Sequence, residues 1–274
     1  AATNFRTPTS TRNIIKSMSA LSLLGILVIS LAGLLKASDW FVGSAEKIGL
    51  SLGISPFIIG VTIVAFGTSL PELASSIAAV FDGESSIVIG NVLGSNITNI
   101  TLILSLVAIV SGKIVFRKDV MNIDMPLLIT SAALLCFVVY DKVVSIFDAG
   151  LLLAGLVIFL IYSFKGDEEE KAERTEKVGI EVYGLLLVAG AMVYFGAEYT
   201  IFAVTGLSEI AGIDPEIIAL SLIALGTSLP ELIVSITAAR KGRNEIAVGN
   251  VLGSNIFNTY AVMGIPSFFG ELEI

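Results

Sequence analysis

The sequence predicts an all-α polytopic membrane protein of two inverted-topology repeats of five helices, ten in total, with about eight in this chain. Of 274 residues, 55% are apolar and only 15% charged, where a soluble globule carries roughly 25% charged residues. The mean hydropathy is +0.92. The apolar residues form blocks near the ~20 residues needed to cross a bilayer. A 46-residue stretch, 54–99, recurs at 213–258 with a constant offset of 159, no gap and 26 identities.

A polar, Thr/Ser-rich tail fills residues 1–20. It does not read as a cleaved signal peptide, because the apolar run that follows ends in Asp39-Trp40 and not in small residues. Spans are predicted at Leu21–Val42, Pro56–Phe81, Ile87–Val110, Pro126–Tyr140, Ala149–Phe164, Val182–Ala203, Pro215–Ala239 and Ile246–Pro266. Residues 21–164 make the first membrane half, with repeat 54–110. A hydrophilic loop at 165–178, with Asp167-Glu168-Glu169-Glu170, reads as a solvated linker. Residues 179–274 belong to the second half, with repeat 213–266.

Lysine and arginine set the expected orientation. With the N-terminus outside, the inner loops hold Lys47, Lys113, Arg117, Lys118, Lys165, Lys171, Arg174, Lys177, Arg240, Lys241 and Arg243, and only Lys142 lies in an outer loop between spans. Arg6, Arg12 and Lys16 in the tail argue the other way and are outnumbered. A multi-pass plasma-membrane protein with a cytoplasmic 165–178 loop is expected. The net charge of −8 comes with no basic surface, so nucleic acid is not an expected partner. The single cysteine, Cys136, sits in an apolar run and is expected to be a small buried hydrophobe. Histidine is absent, which removes the commonest zinc ligand and proton shuttle.

Five spans, an odd number, separate equivalent helices, so the copies are inverted. Many secondary transporters are built from inverted copies, with the site at the repeat interface near the bilayer midplane. Packing alone would keep the apolar pattern, but would not need a glutamate in the middle of each copy. By the same offset, the spans at 126–140 and 149–164 should recur near 285–299 and 308–323. The last two helices of the second half are therefore expected to be missing from this chain.

The first twin segment is Ala65-Phe66-Gly67-Thr68-Ser69-Leu70-Pro71-Glu72, matched by Ala224–Glu231. Pro71 has no N–H to donate, and Gly67 loosens the helix before it. A break is expected, leaving the carbonyls of Ala65 through Ser69 without helical partners. At membrane depth such carbonyls need protein, water or a cation, and a carboxylate there costs a few kcal/mol or more unless compensated. Carbonyls, hydroxyls and one carboxylate per copy make an all-oxygen set for a hard cation. Ca²⁺ takes 6–8 oxygens in irregular geometry, whereas Mg²⁺ sheds its water less readily. Na⁺ also accepts carbonyl and hydroxyl oxygens, and soft metals would require Cys, Met or His in the motifs.

The second segment is Gly90-Asn91-Val92-Leu93-Gly94-Ser95-Asn96-Ile97-Thr98-Asn99, matched by Gly249–Asn258. Glycines four apart share one helix face and let another helix approach. Ser95, Asn99, Ser254 and Asn258 are candidate site-lining residues. Asn91, Asn96, Asn250 and Asn255 either line the site or hydrogen-bond between helices. Asp39 and Glu198 occupy equivalent positions near opposite ends of the first and sixth spans, as interfacial anchors or on a route for ions.

Both motif pairs, in this order and at this separation, resemble the alpha-repeats of the sodium/calcium exchangers of the calcium/cation antiporter superfamily, prokaryotic type. The resemblance runs from the first span through Pro266. It implies ten helices, with the second, third, seventh and eighth enclosing the site. It further implies that Glu72, Glu231, Thr68 and Thr227 bind Ca²⁺. The carbonyls of Ala65 and Ala224, with Ser69, Ser95, Ser228 and Ser254, would serve Na⁺. Several exchangers carry an acid where this chain has Asn258; here both copies end in Asn, at Asn99 and Asn258. Two charges still balance one Ca²⁺, and they also suit a proton-coupled cycle. The proton-driven branch, however, typically carries Gly-Asn-Ala-Thr-Glu at the first motif. The expected function is therefore Ca²⁺/Na⁺ antiport by alternating access, with H⁺ as the alternative counter-ion. The bilayer and these ions are the expected partners, with no cofactor and a monomer as the working unit. A channel would conduct without counter-transport. An enzyme is not expected, since there is no His, no HExxH and no nucleophile–base pair.

Overall fold

The computed structural model describes residues 18–81, 83, 85–114, 124–166, 176–213 and 227–273. The architecture is helical. Helix α1 spans Ala20–Ser51 and is capped by the Ser19 hydroxyl, which accepts from the Ser22 amide at 3.2 Å. Segment α2, Pro56–Phe81, starts on a proline that needs no N–H in the first turn. It contains a π-helical turn at Gly60–Val64, an α-helical turn at Ala65–Thr68 and, past a break at Ser69, a second half-helix at Leu70–Phe81. Segment α3, Ser86–Ser111, carries a π turn at Asn99–Ile103. Then come α4 (Asp124–Val138), α5 (Ile146–Gly166), α6 (Ile180–Ile210), α7 (Leu229–Arg240) and α8 (Asn244–Phe257), which runs into a π turn at Asn258–Val262. Five described helices are long and apolar enough to cross a membrane. The sole strand pairing among the described residues joins β1 (Val143–Val144) antiparallel to β2 (Leu272–Glu273).

The distribution of polarity is that of a bilayer protein. Large apolar side chains such as Val28, Ile29, Phe137, Phe147 and Leu187 point outward, while Glu72, Glu231, Asn99, Asn250 and Asn258 are fully buried. The inversion is visible in α1 and α6. Ser30 meets Thr200, whose hydroxyl donates to it at 2.9 Å, Leu34 meets Gly196, and Phe41 meets Gly190. Rising numbers on one helix face falling numbers on the other, so these equivalent helices run antiparallel.

Segments α2 and α8 touch backbone to backbone. A Cβ on Gly249 would lie 2.5 Å from the Phe57 carbonyl oxygen, one on Gly253 would collide with the Val61 carbonyl, and one on Gly60 with that of Ile246. The glycine spacing in the second copy thus does what small residues do between membrane helices. Gly90 and Gly94 have no described neighbour within 4 Å.

Three expectations need correction, and a fourth falls outside the described residues. Helices α1 and α6 outrun the predicted spans, so Asp39 and Glu198 are not near helix ends. Each lies twelve residues inside its helix (39 against 51, 198 against 210), because charged residues continue the helix without interruption. The proline break is also shorter than expected. The Ala65 carbonyl accepts the Ser69 amide at 3.0 Å, and the Ser69 carbonyl accepts the Leu73 amide at 3.1 Å. Gly67 is the residue to which Pro71 has no N–H to offer. Cys136 is exposed: Ser131, Leu135 and Val138 form the covered stripe of α4, and Cys136 lies off it. Finally, the N-terminal half of the predicted seventh span, with Ala224, and the acidic run 167–170 fall outside the described residues.

These contacts predict that Gly253→Ala lowers the melting temperature in detergent, since neither helix backbone can yield; overpacking of this kind costs about 1–3 kcal/mol. Gly25→Ala, which meets nothing within 4 Å, should leave it unchanged or slightly raised.

Candidate cation site

The site is built by one backbone device used twice. Ser69 has φ −85°, ψ 0° and Ser228 has φ −83°, ψ 5°. Ser69 closes the helical turn before it, and each serine opens a half-helix at Leu70 or Leu229, with proline next, where its missing N–H costs nothing. Glu72 and Glu231 then fall in the first turn of their half-helices. The unpaired N–H groups of a helix N-terminus favour a carboxylate there. Both glutamates are fully buried, and they are the sole acidic or basic residues among the buried polar set of the described residues.

The surrounding polar groups form mirrored bonds across the repeat boundary. The Thr68 hydroxyl donates to Asn250 Oδ1 at 3.1 Å and lies 3.4 Å from Ser254 Oγ. Its counterpart, Thr227, donates to Asn91 Oδ1 at 3.1 Å and lies 3.1 Å from Ser95 Oγ. Each asparagine is anchored in turn. Asn91 Nδ2 donates to Ser76 Oγ at 3.0 Å and to the Glu72 carbonyl at 3.3 Å, while Asn250 Nδ2 donates to Ser235 Oγ at 2.8 Å. A threonine that gives its proton to an amide oxygen keeps its lone pairs for another partner. Asn91 and Asn250 are therefore interhelical cross-links that orient the threonines.

Ser76 and Ser235 were missed by the sequence reading. Their signal was present: both are serine at the repeat offset, one turn after the glutamates. Thr259 was also missed. It accepts from Asn96 Nδ2 at 3.1 Å, whereas the equivalent position in the first copy is Ile100. Symmetry breaks here. Asn99 Nδ2 donates to Asn255 Oδ1 at 3.0 Å, but the mirrored bond from Asn258 to Asn96 is not made.

What remains unpaired defines the chemistry. Both carboxylate oxygens of Glu72, Oε2 of Glu231, Oγ of Ser228, Oδ1 of Asn96 and Asn99, and both side-chain polar atoms of Asn258 are buried without a hydrogen-bond partner among the described residues. Ser69 reaches Glu231 Oε1 at a long 3.4 Å. Buried polar groups are normally satisfied, and an uncompensated buried charge costs several kcal/mol. Nearly all these atoms are oxygens, which suits a hard cation. No group of three or more His, Cys, Asp or Glu able to hold a metal occurs among the described residues, so hydroxyl, amide and backbone carbonyl oxygens are the further ligands the protein offers. Of the expected site residues, Glu72, Glu231, Thr68, Thr227, Ser69, Ser95, Ser254 and Asn99 bond within this buried network. Ser228 and Asn258 are buried but make no such bond. The Ala65 carbonyl also takes a 3.3 Å contact from Thr68 Oγ1.

Antiparallel equivalent helices, a broken α2, a matching half-helix start at Leu229 and a pair of buried glutamates among oxygen atoms define an inverted-repeat membrane protein with a buried polar centre. The comparisons name the family: residues 22–165 and 181–274 match the sodium/calcium exchanger protein family, and the chain belongs to it. It is 34% identical to the sodium/calcium exchanger MaX1 of Methanosarcina acetivorans, over 91% of this chain and 83% of that protein. It is 35% identical to the inner membrane protein YrbG of Escherichia coli K12, over 91% of this chain and 80% of that protein. Among solved structures, the sodium-calcium exchanger NCX_Mj soaked with Na⁺ and Sr²⁺ superposes with a TM-score of 0.81 at 32% identity, covering 93% of this chain and 84% of that one.

Occupancy of the site should stabilise the fold. Ca²⁺ in hundredfold excess over its dissociation constant should add about 2.7 kcal/mol and raise the melting temperature. Glu72→Gln and Glu231→Gln should abolish the Ca²⁺-dependent rise while melting no lower than wild type without Ca²⁺, since each removes a buried charge. A Ca²⁺ response that persists in both variants would exclude these glutamates as ligands. Ser235→Ala should lower the melting temperature by an amount worth about 1–3 kcal/mol, through the Asn250 amide left without its serine, and Ser76→Ala should cost less, because the Asn91 amide keeps the Glu72 carbonyl and Ser75.

Proposed function

We propose that this protein is a secondary active antiporter exchanging Ca²⁺ for Na⁺ across the plasma membrane by alternating access. The observation that carries the proposal is the pair of buried glutamates, three of whose four carboxylate oxygens lack a partner among the described residues, at the junction of two inverted repeats. Two negative charges balance one Ca²⁺. In this reading Glu72, Glu231, Thr68 and Thr227 bind Ca²⁺. The carbonyls of Ala65 and Ala224, with Ser69, Ser95, Ser228 and Ser254, serve Na⁺, and Asn99 and Asn258 line the same chamber. Na⁺ and Ca²⁺ cannot both have the glutamates, so loading one expels the other, and inversion gives each face an equivalent route to the site. The name of MaX1 and the description of NCX_Mj as a sodium-calcium exchanger support the ion pair chosen here. The lysine and arginine distribution supports an external N-terminus and a cytoplasmic 165–178 loop.

Proton coupling is the second reading. Asn99 and Asn258 are both neutral, so the chamber holds two formal charges that two protons could replace after Ca²⁺ leaves.

The test is Ca²⁺ uptake into proteoliposomes driven in turn by Na⁺, K⁺ and pH gradients. Uptake should follow the Na⁺ gradient and fall at least a hundredfold in Glu72→Gln and Glu231→Gln. Dependence on the pH gradient alone would select the proton reading, and robust exchange in either variant would remove the assignment of the glutamates.

A further inference from the structure

An exact inverted repeat would give two equivalent approaches to the site, and the two ends of this molecule differ in charge. At one end the turn between α7 and α8 clamps α1. Lys241 Nζ lies 2.9 Å from Asp39 Oδ1, and Arg243 Nη2 lies 2.5 Å from Glu46 Oε2. The equivalent turn between α2 and α3 has the same backbone key, since Gly83 and Gly242 have φ of +77° and +73°. Its sequence, however, places Asp82 where Lys241 stands and Glu84 where Arg243 stands. The helix residues change in step: Glu46 is replaced by Thr205, whose hydroxyl turns back to the Ile201 carbonyl at 2.8 Å. Glu198, the equivalent of Asp39, therefore has no lysine or arginine at its turn, and it makes no ion pair among the described residues.

Glu198 lines a cavity of about 200 Å³ bounded by the second half of α2, α6 and the start of α7. Thr227, Pro71, Pro230 and Ser75 share that wall. Pro71 and Pro230 immediately precede the buried glutamates, Thr227 bonds to Asn91 and Ser95, and Asn91 also reaches Ser75. The cavity thus runs from a carboxylate without an ion pair on α6 to the edge of the cation site. A carboxylate in a cleft with low-dielectric walls concentrates cations and speeds their arrival.

We infer that Glu198 is the cation-capture residue of this approach, drawing Ca²⁺ and Na⁺ into the cavity and passing them to Thr227, while its twin Asp39 is a clamp at the opposite end. The inference rests on the exchanger reading above. Glu198 touches ions in transit and is not a ligand of the central site, so it changes arrival and departure together and leaves equilibrium affinity alone. Screening by salt weakens it, because the Debye length falls from about 10 Å at 0.1 M to about 3 Å at 1 M.

The experiment uses the full chain in proteoliposomes, with wild type, Glu198→Gln, Glu198→Asp and Asp39→Asn compared at low and high ionic strength set with a choline salt. Glu198→Gln should raise KM for Ca²⁺ about three- to tenfold at low ionic strength. That difference should vanish at high ionic strength, maximal rate should hold, and Glu198→Asp should restore KM. The midpoint of Ca²⁺-dependent thermal stabilisation should be unchanged in Glu198→Gln. Asp39→Asn should show no salt-dependent change in KM. An unchanged KM for Glu198→Gln at low ionic strength, with wild type exchanging normally, overturns the capture role alone. A fall in maximal rate with constant KM, or a shifted stabilisation midpoint, also overturns it, as structural damage or direct ligation respectively. A wild type that exchanges no Ca²⁺ for Na⁺ removes the exchanger reading and this inference together.

Discussion

Two carboxylates buried between apolar helices need compensation, and among the described residues no lysine or arginine is buried beside them to give it. Much of the central architecture follows from that need. The glutamates sit in the first turns of half-helices, where backbone N–H groups give partial compensation. On the exchanger reading proposed above, the rest of the compensation falls to the transported cation: a site fully satisfied by its own side chains would have no use for an ion. Threonine protons are directed onto amide oxygens and the amides onto serines, so the oxygen lone pairs that face the chamber are held in place before any ion arrives.

Inversion makes this economical in parts. Thr68 with Asn250 and Ser254 is repeated as Thr227 with Asn91 and Ser95, and every one of these bonds crosses from one copy to the other. Neither copy can make the site alone. The departures from symmetry are therefore informative. Thr259 stands where the first copy has Ile100; it takes the amide of Asn96 and leaves Asn258 with both polar atoms unpaired. The Lys241 and Arg243 pairs likewise hold α1, while at the equivalent α6 positions Glu198 makes no ion pair among the described residues and Thr205 is uncharged.

The fold was legible where the physics is local or repeated. Apolar blocks gave the spans, the 159-residue offset gave the inversion, and a glutamate beside a proline in each copy pointed to the carboxylates that the fold buries. The extra turns of α1 and α6 were hidden because Asp39-Trp40 looks like a membrane boundary, yet Lys36 folds over the Trp40 ring at 5.4 Å and the helix continues. The break at Ser69 was overread: a proline in the first turn of a new half-helix interrupts one backbone bond and lets the helix restart at once. Ser76 and Ser235 looked like two more small residues in an apolar helix; only the asparagines folded against them reveal their work. Cys136 was read from its neighbours in sequence, but the covered stripe of α4 follows three-dimensional contacts.

The π turns at Asn99–Ile103 and Asn258–Val262 begin at equivalent residues. A π turn amounts to one residue inserted into an α-helix, and it usually survives only where function keeps it. Two independent insertions at the same position are a poorer account than one insertion inherited twice. The ancestral half-protein therefore already carried this wide turn beside its asparagine before its gene doubled. The differences now seen around it, Ile100 against Thr259 and Thr98 against Phe257, record what each descendant half has changed since.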